Sequence, residues 1–326
     1  MTSGRRADAA PPIAVIALGG NALAPSGEES TIYDQFRHAR QSVAPIVELA
    51  LAGWNICVVH GNGPQVGDEL MRNEVARDEA SPLPLGVLVA ATAGWIGYMI
   101  QQSIGNALRH AGNPRRVVPI VTQVIVDPED EALHNPTKFI GRELTPERAI
   151  ELRAEGFAVK PDGRGRLRRV VGSPAPIAIH ELEAIRQLVS SGTVIIALGG
   201  GGVPVYQHPT LGLEGIDAVV DKDLGAAVLA RDLGATMLLI LTDVDAVYID
   251  WGTSGQRPLP RLSADEAERM DKAGAFGEGS MAPKIRASID FVRRTGGRAI
   301  ITSLERGRDA VHGTAGTTIT NASEIE

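Results

Sequence analysis

Four short stretches combine glycine with residues that open helices, and they set out the chemistry available to this chain. "LGGNA" (18–22) and "HGNGPQVG" (60–67) offer backbone N–H groups with no Cβ in the way. In the second, Pro64 is placed to be the first residue of a helix, which would turn a positive helix terminus toward an anion. "GEGSMAPK" (277–284) repeats the plan, with Pro283 to open a helix and Lys284 in its first turn. "GGGGVPV" (199–205) supplies a fourth loop. Any one of these could be an ordinary turn, but phosphate best accounts for all four in one chain.

The lysines point the same way. Of 32 basic residues only five are lysine: Lys138, Lys160, Lys222, Lys272 and Lys284. Where arginine serves almost every generic positive charge, a retained lysine marks a place for a compact ammonium. Lys222 stands between Asp221 and Asp223 at a helix start, Lys284 opens another helix, and Lys138 lies in "NPTKFIG". A lysine in a first helical turn opposes the helix dipole, so an anionic ligand is a better reason for it than local stability. Lys160 and Lys272 have no such setting and read as solvated surface charges. Asp221, Asp223 and Asp243 could orient lysines or magnesium waters, or equally serve as helix caps and turn residues.

Competing chemistries lack their signatures. There is no G-x-x-x-x-G-K-[ST] loop, and "GNGPQVG" misses the dinucleotide spacing by one residue. No H-E-x-x-H, cysteine pair or histidine cluster suggests a zinc site. The histidines His60 and His134 read as a strand-end hydrogen-bonding residue and a loop residue. Cys57, the one cysteine, sits in "NICVVH" as a small buried hydrophobe and allows no internal disulfide. That usage suggests a cytoplasmic setting.

The elements that must position these residues alternate as in a parallel α/β sheet. Short Val- and Ile-rich runs at 13–18, 55–60, 193–198, 235–241 and 298–302 are separated by helical patterns, and a final strand reads at 317–320. One helix is expected from Thr31 to Leu51, kinked at Pro45, and a long apolar one over 86–111, suited to a subunit interface. "RRVVPIVTQVIV" gives one or two strands, and further helices read at 180–191, 222–233, 263–272 and 283–295. The pentapeptide Ile-Ala-Leu-Gly-Gly occurs at 16–20 and 196–200, each time running a strand into glycines. Ligands sit beyond the carboxyl ends of such strands, so the repeat suggests two similar halves, each offering a turn to a ligand. Convergent strand–turn chemistry is the plainer alternative.

Residues 127–176 break this rhythm. They are polar and rich in Pro and Gly, with a helix capped by Thr145 and a hairpin turning at Asp162–Gly163. They read as a projection with little core, suited to closing as a lid that brings Lys138 to the reacting groups. The net charge of −7 and pI near 5.6 argue against nucleic-acid and anionic-membrane partners. No apolar run approaches the roughly 20 residues of a membrane helix. Residues 1–11 read as a disordered tail.

Taken together and in order, "VIALGGNAL", "VVHGNGPQVG", "NPTKFIG", "RRVVGSPAP", "GGGGVPV", "AVVDKD", "ILTDVDAVY" and "GSMAPK" resemble the carbamate kinases of the amino acid kinase family. The resemblance runs from about residue 13 to residue 319. It implies one domain over 12–326: a three-layer αβα sandwich on a mostly parallel sheet of about eight strands, with the protruding subdomain at 127–176. Residues 12–205 would form the carbamate and carbamoyl phosphate half, and 206–326 the nucleotide half. The implied reaction is reversible, ATP plus carbamate giving ADP plus carbamoyl phosphate, with magnesium carried on the nucleotide, in a homodimer. It is expected to run toward ATP in the catabolism of arginine and carbamoyl phosphate.

Carried across by residue, the resemblance makes Lys138, Lys222 and Lys284 catalytic. Gly19, Gly20, Asn21, Gly61, Asn62 and Gly63 would hold the carbamoyl and transferred phosphoryl groups. Gly199, Gly200, Asp221, Thr242, Asp243, Asp245, Tyr248 and Met281 would frame the nucleotide. Most kinases of the superfamily carry a lysine in the first strand, where this chain has Ala17, and the projection's Lys138 would replace it. Ala282 and Gly172 depart from the usual glycine and proline. Another small-anion kinase of the same fold, or a nucleotide-binding regulator without turnover, are the rival readings. Retention of all three lysines argues against the regulator.

Overall fold

The computed structural model describes residues 10–20, 23, 31–277 and 281–321. The chain begins with β1 (Ile13–Leu18), and α1 (Ile32–Gln41) and α2 (Ala44–Leu51) lead to β2 (Asn55–His60). α3 (Gly63–Val75) and the long α4 (Leu85–His110) follow, then β3 (Val117–Pro119) and β4 (Gln123–Ile125). Residues 127–176 supply α5 (Glu131–His134), β5 (Lys138–Ile140), α6 (Pro146–Ala154), β6 (Val159–Pro161) and β7 (Leu167–Val171). β8 (Ala178–Ile179), α7 (Leu182–Ser190) and β9 (Val194–Ala197) come next, then a hairpin of β10 (Val203–His208) and β11 (Gly212–Gly215). The last third starts with α8 (Lys222–Leu233), β12 (Met237–Thr242), β13 (Val247–Ile249) and β14 (Arg257–Leu259). It ends with β15 (Arg261–Ser263), α9 (Ala264–Lys272), α10 (Met281–Thr295), β16 (Arg298–Ser303), α11 (Gly307–Val311) and β17 (Thr317–Thr320).

Eight strands form the main sheet in the order β15-β17-β16-β12-β1-β2-β9-β3, parallel except that β17 runs antiparallel to β16. This is the expected α/β sandwich. β1 lies between β2 and β12, with Leu18 level with both His60 and Leu241. Alternation along β1 sends Val15 and Ala17 to the core under α7, α8 and α10, and Ala14, Ile16 and Leu18 to the core under α1, α2 and α4. Both faces are covered, which is why these strands read as unbroken apolar runs. Ala17 is fully buried in the first of these cores. So is Cys57, whose thiol burial pushes up to about 12, leaving it an inert packing residue.

Local details correct several expectations. The helix expected over 31–51 is two helices: α1, with Thr31 and Asp34 closing a capping box, ends at Gln41, and Pro45 is the second residue of α2. Pro45 thus starts a helix where it was expected to bend one, as its missing N–H allows. "RRVVPIVTQVIV" gives two strands in different sheets, β3 in the main one and β4 beside β10 and β8. The hairpins β10–β11 and β13–β14 are additions that the pattern did not indicate.

The protruding segment has more core than its composition suggested. β5, β7 and β6 form a small antiparallel sheet, and α6 packs Ala149 and Leu152 on Val159, with Leu144 and Leu167 beside them. Thr145 caps α6 with Pro146 at its start, and β6 and β7 form the expected hairpin, with Asp162 accepting from the Arg164 and Arg166 amides. The segment rests on α3. Arg142 forks onto Asp68 at 3.0 and 3.3 Å, and Arg148 and Arg169 each reach Glu74 at 2.7 Å. Of the tail expected at 1–11, residues 1–9 lie outside the described residues, and Ala10 and Pro11 are exposed. Among the described residues no helix is long and apolar enough to cross a membrane.

Candidate active site

The carboxyl ends of β12, β1 and β2 bring the two N-terminal glycine loops together. Gly19 N donates to Leu241 O and Gly61 N to Leu18 O, each at 3.0 Å, which steps the loops across neighbouring strands. They touch: a Cβ on Gly61 would lie 3.0 Å from Gly20 N and 3.2 Å from Lys222 Cδ. The glycine lets the two loops and the lysine stem lie close together. Asn21 lies outside the described residues.

α8 starts beside these loops, and its first turn gathers all three special lysines. Asp221 caps it, one carboxylate oxygen accepting from Asp223 N at 2.9 Å and Leu224 N at 3.3 Å. The other oxygen receives Lys138 Nζ from the protruding subdomain. Asp223, nearly inaccessible, receives Lys222 Nζ at 2.5 Å and Lys284 Nζ at 3.0 Å from α10. The alternatives for Asp221 are both realised, since it caps the helix and orients a lysine. Asp223 matters more than its place in the sequence suggested, and its signal was its position beside Lys222 in "DKD".

Burial and charge set the protonation states. Burial would raise the Asp223 carboxyl, but Lys222 and Lys284 outweigh it and hold it well below the ordinary carboxylate range. Asp221 is likewise lowered, burial being outweighed by Lys138. Lys222 is lowered from the usual lysine value because burial disfavours its charge, Asp223 offsets this only in part, and the Lys284 charge adds to the effect. In Lys284 the carboxylate of Asp223 more than offsets burial, and its pKa is raised.

The remaining candidates divide into two groups. Thr242 ends β12, and beyond it Asp245 accepts from Tyr248 Oη at 2.8 Å, with the Tyr248 ring edge-on to Trp251 at 5.3 Å. Asp243 is exposed in the same turn and acts electrostatically on Lys284. Met281 begins α10 and packs against the core. Pro283 and Lys284 lie inside α10, after Met281, so the expected opening role for Pro283 is corrected. Residues 278–280 of that loop lie outside the described residues.

Gly199 and Gly200 lie elsewhere than an open turn. Leu198 enters the left-handed region at φ 51°, and glycines 199–202 are buried. A Cβ on Gly199 would stand 2.6 Å from Ala93 Cβ and 2.8 Å from His60 Nε2, and one on Gly200 would strike the Asn62 amide, 2.7 Å from its Oδ1. The second Ile-Ala-Leu-Gly-Gly copy therefore backs the first pair of loops from inside the protein. Asn62 Nδ2 donates to Thr92 Oγ1 at 2.9 Å, which fixes the loop to α4. His60, fully buried beneath, has Nδ1 3.0 Å from Gly61 O, and burial lowers it to about 4, so it is neutral. His134 closes α5 and is exposed. Lys160 is exposed, and Lys272 pairs with Glu268 at 3.0 Å on a surface helix.

The chain is similar over nearly its whole length to known proteins. A carbamate kinase of Halobacterium salinarum is 46% identical over 314 residues, covering 95% of this chain and 99% of the relative. One from Pyrococcus horikoshii is 42% identical over 309 residues, covering 94% and 98%. The structure of a carbamate kinase from Giardia lamblia bound to AMP-PNP superposes with a TM-score of 0.88 at 37% identity, covering 96% of this chain and 99% of that one. The model of the amino acid kinase family matches residues 12–303, and the chain belongs to that family.

Proposed function

We propose that this chain is a carbamate kinase, transferring a phosphoryl group reversibly between ATP and carbamate to give ADP and carbamoyl phosphate. The observation that carries the reading is the meeting of Lys138, Lys222 and Lys284 on Asp221 and Asp223, beside the glycine loops at 19–20 and 61–63. Phosphoryl transfer needs positioning and charge neutralisation more than covalent help from the protein. A carbamate oxygen attacks the γ-phosphorus, the bond from phosphorus to the β–γ bridging oxygen breaks, and ADP leaves. Carbamate is already anionic, so no general base is required, in keeping with a neutral, buried His60.

The residues take separate roles in this scheme. The amides of Gly19, Gly20, Gly61 and Gly63, with Asn62, hold the carbamoyl and phosphoryl oxygens. Lys222, lying across Gly61, and Lys284 neutralise the transferring group, and Lys138 approaches from the acceptor side in place of the first-strand lysine that Ala17 lacks. Thr242, Asp243, Asp245, Tyr248 and Met281 frame the nucleotide. Gly199 and Gly200 act from behind, by seating Asn62.

Magnesium fits this site as a passenger of the nucleotide, where it would spread the charge of the β and γ oxygens. Asp221 and Asp223 are engaged with lysines, and among the described residues no three His, Cys, Asp or Glu side chains gather to hold a metal. A cytoplasmic homodimer working toward ATP in arginine and carbamoyl phosphate catabolism completes the reading. Outward-facing Val87 and Tyr98 on α4 support the subunit contact. The test is ATP formation from ADP and magnesium with a panel of acyl phosphates. Carbamoyl phosphate should turn over well and acetyl phosphate poorly; the reverse order sinks the assignment.

A further inference from the structure

The last glycine of "HGNGPQVG" does not belong to the phosphate loop. Gly67 is the fifth residue of α3 and is buried, at a position where alanine is the better helix former. What fills the space over it is backbone from the protruding subdomain. A Cβ on Gly67 would stand 2.5 Å from Gly141 N and closer still to Gly141 Cα. Among the described residues it is the only glycine within an α-helix whose added Cβ would fall under 3 Å of another atom; Gly94 and Gly105 of α4 would meet nothing. The partner glycine is shaped for the contact, with φ +69° and its amide 3.4 Å from Gly63 O.

This contact lies one short strand from the chemistry. β5 runs from Lys138 to Ile140, and Gly141 follows it directly. Ile140 is buried with Val66, Leu70 and Val89, and Arg142 forks onto Asp68 of α3. The strand is therefore pinned to α3 at its Gly141 end, while its Lys138 end meets Asp221. Three residues of extended chain transmit position faithfully, at about 3.3 Å each.

We infer that Gly67 is a positioning residue: by letting the backbone at Gly141 rest on α3, it sets how deeply Lys138 enters the site. The inference rests on the proposed function for the role of Lys138, but not for the geometry. A side chain at 67 lifts β5 and withdraws the ammonium from Asp221. A purely structural glycine would lower stability without acting through Lys138.

The test is a double-mutant cycle with a second readout that needs no activity. Gly67→Ala should cost about 10²-fold in kcat, the scale of an ångström's misplacement, with ADP affinity unchanged. In a Lys138→Ala background the same substitution should change kcat by less than about threefold, because no ammonium is left to misplace. Independent, multiplying losses would overturn the inference. The second readout is acetylation of Lys138 by acetic anhydride, measured by mass spectrometry against Lys160 in the same molecule. It should rise several-fold in Gly67→Ala, and an unchanged ratio also overturns the proposal. If Gly67→Ala does not fold, Gly141→Ala replaces it: its Cβ would meet Gly67 Cα at only 3.4 Å, but in a left-handed backbone. It should show a smaller loss that also vanishes without Lys138, and a loss that persists there overturns the proposal. Should the wild type make no ATP from carbamoyl phosphate, the functional reading fails, and the labelling ratio still decides the positioning.

Discussion

Lys284 reaches Asp223 from α10, its Nζ 3.0 Å from one carboxylate oxygen, while Lys222 takes the other at 2.5 Å. One buried anion thus holds two lysines from separate helices at the edge of the glycine loops. Taking away its charge would leave both ammonium groups buried without a full counterion, which typically costs about 3–5 kcal/mol. Asp223→Asn should therefore lower thermal stability and turnover together. Added ADP with magnesium should recover part of the lost stability, because the phosphates supply the missing charge. A melting temperature equal to wild type would show that Asp223 does not hold this cluster.

Turnover should separate the five lysines into two classes. Lys222→Ala and Lys284→Ala should each lower kcat by about 10²–10³-fold, the usual loss for one positioned charge at a transition state. Lys160→Ala and Lys272→Ala should be nearly silent, because the first is exposed and the second pairs with a surface glutamate. Similar losses at all four would mean that lysine scarcity carries no functional signal in this chain.

Most of the sheet was legible for a physical reason. β1, β2 and β12 are covered on both faces, so their sequences are unbroken apolar runs ending in polar or glycine-rich turns. The three lysines stood out because arginine fills almost all the other positive sites. The sheet of β11, β10, β4 and β8 was not legible, because Ala178–Ile179 is two residues long and Val203–Val205 pairs with Gln123–Ile125 from far upstream. Strands that short carry no periodicity, and the pairing that makes them is not local. The glycines at 199–202 announced a turn but not what it would face; that needed Asn62 and His60 in place. Gly67 was visible as a spacing anomaly, and its partner Gly141 was not, because the contact joins two backbones and no side chain records it.

His60 gives a stability slope in mild acid. Burial lowers it to about 4 in the fold against 6.5 ordinarily, so the unfolded chain binds the extra proton between those values. Its contribution is complete above about pH 6.5 and is lost as pH falls toward 4, amounting to about 3 kcal/mol at one pKa unit per 1.36 kcal/mol. Denaturant midpoints at a series of pH values should fall less steeply through this window in His60→Gln than in the wild type. Parallel slopes would mean that the imidazole gains its proton without unfolding the site.

The protruding subdomain makes the last and most demanding prediction. It carries Lys138, the one special lysine that does not sit on α8 or α10, and Lys138 is also the most exposed of the three, at 38% against 13% for Lys222 and Lys284. Beside the Gly67–Gly141 contact and the buried Ile140, it is attached to α3 by ion pairs: Arg142 to Asp68, and Arg148 and Arg169 to Glu74. Such contacts contribute modestly when water reaches them, so the subdomain can loosen while the main sheet stays intact. The proposal is that residues 127–176 close over bound substrates, exclude water from carbamoyl phosphate and deliver Lys138 to the phosphoryl oxygens. Lys138→Ala should then lower kcat by about 10²–10³-fold with ADP affinity nearly unchanged. Glu74→Gln should weaken both arginine contacts, speed hydrogen exchange in 138–171, and raise the hydrolysis of carbamoyl phosphate relative to ATP formation. Exchange in the wild-type segment should slow only when both substrates, or a bisubstrate mimic, are bound. Equal protection with and without ligands would rule out the closing lid, and full activity in Lys138→Ala would remove its purpose.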